Sequence, residues 1–270
     1  MDSVIRQLLE KKSYSVDDLV TIVRILRSEN GCPWDKVQTH KTIKKDFLEE
    51  TYEVMEAIDC DSPEMMREEL GDVLLQVVFH TVLESEAKHF ELEDVANDVC
   101  RKLIVRHPHV FGDVNVDGVD DVLRNWDSIK MDTKGQETFT DTLKSVPKNF
   151  PALMRAQKLG KRAAKSGFDF ESAQQAFDGL KSEVAEIEAV LDDKEKAAEE
   201  LGDLMFSCVN VARKLDLDAE ELLSQANEKF LKRFEKVENL TVQDGEDITN
   251  LSPERLEEYW QRAKKVVIDE

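Results

Sequence analysis

The sequence predicts an all-α protein made of two similar helical units joined by a linker. Its 270 residues include only 10 glycines and 6 prolines, about half the usual share of these turn-forming residues. Apolar residues recur along the chain with the helical period. The segment EELGD occurs twice, at 68–72 and 199–203, and each copy leads into a long apolar run. Few turn residues, helical periodicity and an internal repeat together predict tandem helical units with little or no strand.

The repeat extends beyond EELGD and sets the expected domain boundaries. Matching segments occur in the same order in both halves: GCPWD with SGFDF, DFLEETYEVMEAI with GLKSEVAEIEAVL, RKLIVRHPHVF with NEKFLKRFEKV, and NWDSIK with YWQRAK. The segment between the halves lacks strong helical periodicity and carries Gly135, Pro147 and Pro151, which are typical of a linker. We therefore expect an N-terminal unit at 1–130 with 1–15 as an extension, a linker at 131–151, and a C-terminal unit at 152–270.

Charge and cysteine usage limit the functional classes. The net charge is −21, which repels a phosphate backbone and disfavours nucleic-acid partners but suits divalent cations. The four cysteines are scattered without zinc-ligand spacing, so we expect reduced thiols in a cytoplasmic protein. The N-terminal segment does not resemble a signal peptide, and the longest apolar stretch is too short to span a bilayer, so no membrane partner is expected.

Each apolar run carries one narrow polar strip. On a helical wheel of 200–212, Glu200 and Asp203 lie on this strip, while apolar residues cover most of the circumference. The first copy places Glu69 and Asp72 on the equivalent strip, together with Gln76 and His80. A helix that is apolar nearly all round is typically buried. The acids are therefore expected to face a polar site inside a helical bundle.

The helix before each apolar run supplies two further acids, spaced three residues apart. If the two helices form an antiparallel hairpin, all four carboxylates converge, and such a cluster is stable only when it is partly protonated or binds cations. Carboxylate ligands without Cys or His select hard cations, so we expect Mg²⁺, with Mn²⁺ as a substitute. The predicted ligands are Glu183, Glu186, Glu200 and Asp203 in the second unit and Glu50, Glu53, Glu69 and Asp72 in the first. The alternative is a duplicated structural unit in which one copy is silent.

These motifs resemble the MazG family of nucleoside triphosphate pyrophosphohydrolases. The paired E-x-x-E and E-x-x-D motifs are separated by 15 residues in the first unit and 13 in the second. Further similar segments are ENGCPWDKVQTH, RHPHVF, PALMRAQKLGKRAAKSGFDF and ANEKFLKRF. They run across nearly the whole chain, so the resemblance is to the long, two-domain form of the family.

The resemblance implies a fold and an activity. The fold is a tandem repeat of two MazG-like helical units, whose hairpins form four-helix-bundle-like cores through homodimerisation. The activity is Mg²⁺-dependent hydrolysis of NTPs and dNTPs, with broad specificity, to the monophosphate and pyrophosphate. The expected role is cleansing of nucleotide pools or control of nucleotide levels under stress.

We expect the second unit to be the main catalytic unit, because QKLGKR at 157–162 is more basic than any equivalent stretch in the first. Glu183 and Glu186 are the candidates for orienting the attacking water, and the sequence does not choose between them. The candidate nucleotide-binding residues are Lys158, Lys161, Arg162, Lys229, Arg233 and Trp260. A solvated basic face and a core tryptophan are the structural alternatives. The five histidines are not placed as a cluster, so we expect them to be structural.

Two other functions compete with hydrolysis. A di-iron carboxylate bundle needs Glu-x-x-His on two helices, and the sequence has one such pair, Glu86 and His89, without a partner in the second half. A non-catalytic nucleotide-binding or regulatory helical scaffold would bind nucleotide without turnover. A P-loop ATPase is disfavoured because no Walker-type loop occurs.

Overall fold

The computed structural model describes residues 2–133 and 136–266, and every regular element in that part of the chain is a helix. The all-α prediction is confirmed. Residues 1, 134–135 (including Gly135) and 267–270, which fall in the expected domain and linker ranges, lie outside the described residues. The α-helices, numbered in chain order from α1 to α14, are Asp2–Glu10, Val16–Arg27, Pro33–Lys36, Lys44–Asp59, Pro63–Glu86, Leu92–Arg106, Pro108–Phe111, Val119–Thr133, Phe139–Lys144, Ala152–Ala164, Ala173–Val190, Lys194–Lys214, Ala219–Gln243 and Pro253–Val266.

The chain divides into two compact units between Ile129 and Lys130. In the first unit, α4 and α5 form an antiparallel hairpin. Its turn is tight because Asp61 adopts a positive φ of 49°, and Ser62 then caps α5 by accepting a hydrogen bond from the Met65 amide. Helix α2 packs on the C-terminal half of α5, and the core there consists of Val23, Ile43, Val78, Phe79 and Val82. The half of the hairpin that packs into this core therefore lies at the end opposite to its turn.

The second unit repeats the hairpin with α11 and α12. Asp193 caps α12 by accepting a hydrogen bond from the Lys196 amide. Helix α10 packs against the C-terminal half of α12, around a core of Val209, Ala212 and Ala219. A separate core joins α13 to α14 around Val237, Tyr259 and Ala263. In each unit, the hairpin is thus packed against another helix at the end opposite to its turn.

The segment expected to be a linker contains regular structure. Helix α8 continues to Thr133, and α9 begins with a capping box between Thr138 and Asp141. Val146 is buried, and Arg162 of α10 donates hydrogen bonds to the Thr142 carbonyl and, at 2.7 Å, to Ser145 Oγ. Helix α9 is only six residues long and is marked in the sequence by its capping residues, not by a repeating apolar pattern. Helical periodicity therefore did not reveal it. The described part of 136–151 packs with the second unit.

The turn ends of both hairpins keep large apolar side chains exposed. Leu70 and Leu74 of α5 are 51% and 37% exposed, and Leu201 and Met205 of α12 are 44% and 59% exposed. The expectation that α5 and α12 are buried is therefore wrong for these halves of the helices in the chain on its own. The physical reason is that α2 and α10 cover only the C-terminal halves of the two helices.

No helix among residues 2–133 and 136–266 has both the length and the apolar character needed to cross a membrane.

Candidate active site

The α11–α12 hairpin brings acids of the second unit together. One carboxylate oxygen each from Glu183, Glu186 and Glu200 lie within 4.8 Å of one another. Glu183 and Glu186 share a face because they are three residues apart on α11, and α12 returns antiparallel beside them. Asp203 lies one turn further along α12 and acts electrostatically on Glu200. The hairpin alone therefore builds an oxygen-only cluster from residues 14 to 17 positions apart in sequence.

The cluster is electrostatically strained in the absence of a cation. Burial, followed by the charges of Glu186 and Asp203, raises the pKa of Glu200 above its ordinary value. Hydroxyl groups hold two of the carboxylates: Ser207 donates to Glu183 Oε1 at 3.4 Å, and Ser182 donates to Glu186 Oε1 at 3.1 Å. A divalent cation would replace like-charge repulsion with attraction. The donor set of carboxylate oxygens fits Mg²⁺.

The first unit has the same arrangement on α4 and α5. Oxygens of Glu50, Glu69 and Asp72 lie within 4.8 Å of one another, and Glu53 shares a hydrogen bond with Glu69. The pKa of Glu50 is raised by burial and then by Asp72, and the pKa of Glu69 is raised by burial and then by Glu53. The repulsion among these neighbouring carboxylates can be relieved either by a bound cation or by a proton that two carboxylates share.

One side chain distinguishes the first cluster from the second. Gln76 is 9% exposed and forms a hydrogen bond with Glu50, while its Oε1 has no hydrogen-bond partner among the described residues. The residue at the corresponding position of α12 is Ser207. An amide oxygen beside carboxylates is a further hard ligand, so the first cluster also fits a divalent cation.

The candidate nucleotide-binding residues have different surroundings. Lys158, Lys161 and Lys229 are exposed, with the Lys158 ammonium 5.5 Å from the centre of the Phe150 ring. The remaining three are partly buried: Arg162 binds the segment before α10, Arg233 has a buried Nε without a partner in the described chain, and Trp260 packs on the α13–α14 core, 5.4 Å from Phe230. In the part of the chain that the structure describes, no ion pair joins these cations to the acids.

The histidines were predicted not to cluster, and this prediction is wrong for three of them. His40 contacts His80, and Glu84 binds both His40 and His89 at 2.6–2.7 Å. His80 and Glu84 are four residues apart on α5, which was a usable signal, but His40 comes from a distant turn that helical periodicity cannot place. The pair considered for a di-iron site is separated: His89 binds Glu84, while Glu86 binds Arg27.

Comparison with known proteins places this architecture in a family. Residues 38–111, which include the acids of α4 and α5, match the model described as the MazG nucleotide pyrophosphohydrolase domain. The chain is 43% identical over 260 residues to the nucleoside triphosphate pyrophosphohydrolase of Escherichia coli, covering 94% of this chain and 98% of that protein. It is 41% identical over 248 residues to the nucleoside triphosphate pyrophosphohydrolase/pyrophosphatase MazG of Thermotoga maritima, covering 92% and 95%.

Fold, carboxylate clusters and relatives together define the class of this protein. It is an all-α enzyme whose helical hairpins present carboxylate clusters. It belongs to the MazG family of nucleotide pyrophosphohydrolases. The similarity to the two relatives extends over both units, whereas the family model matches residues of the first unit only.

Proposed function

We propose that the protein hydrolyses nucleoside and deoxynucleoside triphosphates to the monophosphate and pyrophosphate, with Mg²⁺, at the carboxylate cluster of the second unit. The observation that carries the proposal is the convergence of Glu183, Glu186 and Glu200 on one hairpin. The names of the relatives support the reaction. We also propose that the enzyme accepts many different bases and that it cleanses nucleotide pools or controls nucleotide levels under stress.

The acids of the second cluster have two tasks in this mechanism. Glu183, Glu186, Glu200 and Asp203 would hold Mg²⁺, for which Mn²⁺ can substitute. A cation held there would supply neutralisation of charge on the triphosphate and would favour deprotonation of the attacking water. Glu183 or Glu186 would orient the attacking water toward the phosphorus atom, and Ser207 and Ser182 donate the hydrogen bonds that keep the two carboxylates in place.

The chain also offers cations for a substrate that carries about four negative charges. Lys229 and Arg233 lie four residues apart on α13, so they share a helix face, and Lys158, Lys161 and Arg162 lie on α10. We propose that these residues bind the phosphates. Trp260 is the proposed contact for the base, because stacking on an aromatic ring accepts every base and so supports broad specificity.

We further propose that the protein is a homodimer in the cytoplasm. The exposed apolar residues on the turn ends of both hairpins support dimerisation, since a second copy would cover surface that α2 and α10 leave open. The four cysteines are free, which suits a reducing compartment.

Product analysis tests the reaction. The purified protein is incubated with each of the eight common NTPs and dNTPs, with Mg²⁺ or with EDTA, and the products are identified. Monophosphate and pyrophosphate that form only with Mg²⁺ support the proposal. Diphosphate and orthophosphate would show that a different bond is cleaved, and binding without turnover would favour a non-catalytic nucleotide-binding or regulatory scaffold.

A matched pair of variants assigns the unit. Glu186→Gln and Glu53→Gln change equivalent acids of the two repeats and preserve side-chain size. We expect Glu186→Gln to lower turnover at least 100-fold, on the order of a lost transition-state contact, and Glu53→Gln to retain most activity. Loss of activity in Glu53→Gln alone would move catalysis to the first unit.

A further inference from the structure

A second group of titratable side chains lies in the first unit, where the turn before α4 meets the C-terminal half of α5. His40 Nδ1 lies 2.7 Å from His80 Nδ1, and His40 Nε2 lies 2.7 Å from Glu84 Oε1. The two imidazole planes differ by 3°, and the ring centres are 5.0 Å apart. Rings at this separation bring their Nδ1 atoms to 2.7 Å only if both atoms lie on the line between the centres. The two rings therefore meet edge to edge and share a linear hydrogen bond.

These contacts fix the position of each proton when the rings are neutral. The Glu84 carboxylate only accepts hydrogen bonds, so His40 Nε2 carries the hydrogen that it donates to Glu84. His40 Nδ1 is then the acceptor, and His80 Nδ1 must be the donor. A neutral imidazole has one N–H, so His80 Nε2 is left as an acceptor. Burial lowers the pKa of His80, which favours this neutral form at pH 7.

His80 lines a cavity of about 450 Å³ with mainly apolar walls. Phe47, Val77, Phe90 and Val95 form those walls, and they come from α4, α5, the following loop and α6. Lys44 also lines the cavity and supplies a hydrogen-bond donor. Cavities of this size with a few convergent polar groups are typical of small-molecule sites.

We propose that this cavity binds a small planar ring with a lactam or imide edge, whose N–H donates to His80 Nε2 and whose adjacent carbonyl accepts from Lys44. The aromatic walls Phe47 and Phe90 suit a flat ring. The relay from Glu84 through His40 holds His80 in the tautomer that reads the N–H group. The site lies in the first unit and uses none of the acids assigned to hydrolysis, so it is independent of the proposed reaction.

Two probes that differ only in the N–H donors test the proposal. The full-length protein is titrated in EDTA at pH 7 with 5-fluorouracil and with its N1,N3-dimethyl derivative, and binding is followed by ¹⁹F NMR. We expect 5-fluorouracil to bind at least tenfold more tightly, because the methylated ring leaves His80 Nε2 without a donor. Equal affinity of the two probes, or no binding of either at 20-fold molar excess over protein, would overturn the proposal.

Two variants locate the effect. His80→Phe keeps an aromatic ring and removes the acceptor, so the two probes should bind equally. His89→Gln is the matched control, since His89 is 66% exposed, binds the other oxygen of Glu84 and does not line the cavity; it should keep the tenfold preference. A preference that survives in His80→Phe, or that is lost in His89→Gln, contradicts the assignment.

Discussion

Asp169 is expected to be the most sensitive electrostatic contact of the second unit. It lies in the turn between α10 and α11 and forms ion pairs with Arg213 and Lys214 at the end of α12. The Arg213 side chain is 8% exposed, so loss of its partner leaves a nearly buried charge unpaired. The hydrogen bond from Arg213, and then that from Lys214, lowers the pKa of Asp169 from 3.8 to about 2 despite the opposing effect of burial. This difference corresponds to about 2 kcal/mol of stability.

The sign of the effect sets the pH range in which it is visible. A carboxyl whose pKa is lower in the folded state stabilises the fold above pH 4, and this stability is lost as the pH falls towards 2. Asp169→Asn should therefore lower the free energy of unfolding by about 2 kcal/mol at pH 7 and by about half as much at pH 3.

Urea denaturation followed by circular dichroism measures both values. Asp178→Asn is the control, because the Asp178–Lys181 pair is more than half exposed and contributes less than about 0.5 kcal/mol. If Asp169→Asn unfolds like the control at pH 7, or if its deficit is the same at pH 3, the reasoning from burial and ion pairing is refuted.

Three further predictions follow from packing and charge. Gly160→Ala should lower the free energy of unfolding, measured by urea denaturation, by about 1–3 kcal/mol, because the added methyl would lie 2.9 Å from a side-chain nitrogen of α12. Gly202→Ala is the control: its added methyl meets open space, so the free energy of unfolding should stay the same or rise by up to about 1 kcal/mol. Similar losses in the two variants would contradict this prediction. Arg27→Lys should lower the free energy of unfolding by about 2 kcal/mol, because the Arg27 side chain is 6% exposed and its guanidinium donates to both oxygens of Glu86 at 2.8 Å. A loss below about 0.5 kcal/mol would show that this two-bond contact does not stabilise the fold. In EDTA at pH 8, Glu200→Gln should raise the Tm measured by calorimetry, since burial and then the charge of Glu186 raise the pKa of Glu200 and its charge destabilises the fold. The gain in Tm should shrink as the pH falls through the raised pKa, and a lower Tm at pH 8 would refute the repulsion.

The sequence predicted those features of the fold and site that are formed within one helix or between two helices adjacent in the chain. Periodicity and the repeat predicted the all-α class, and the E-x-x-E and E-x-x-D spacings indicated that acids would converge if adjacent helices formed a hairpin. The contact of His40 with His80 could not be predicted, because it joins a turn to a helix forty residues away. Burial of the turn-end halves of α5 and α12 within one chain was also mispredicted. The apolar residues around a helix show how much surface it can bury, but they do not show how far the neighbouring helices extend.

Two positions of the duplicated strip differ between the two repeats. Aligned on Asp72 and Asp203, the strip of the first unit continues with Gln76 and then with His80, where the second unit has Ser207 and a valine. Gln76 is buried and engages the acids directly, so protein atoms fill the position beside the first cluster. The shorter Ser207 donates a hydrogen bond to Glu183 at 3.4 Å. The difference at the position of Gln76 and Ser207 therefore adds to the basic stretch at 157–162 as a reason to propose the second unit as the catalytic one, although both units carry the same acids.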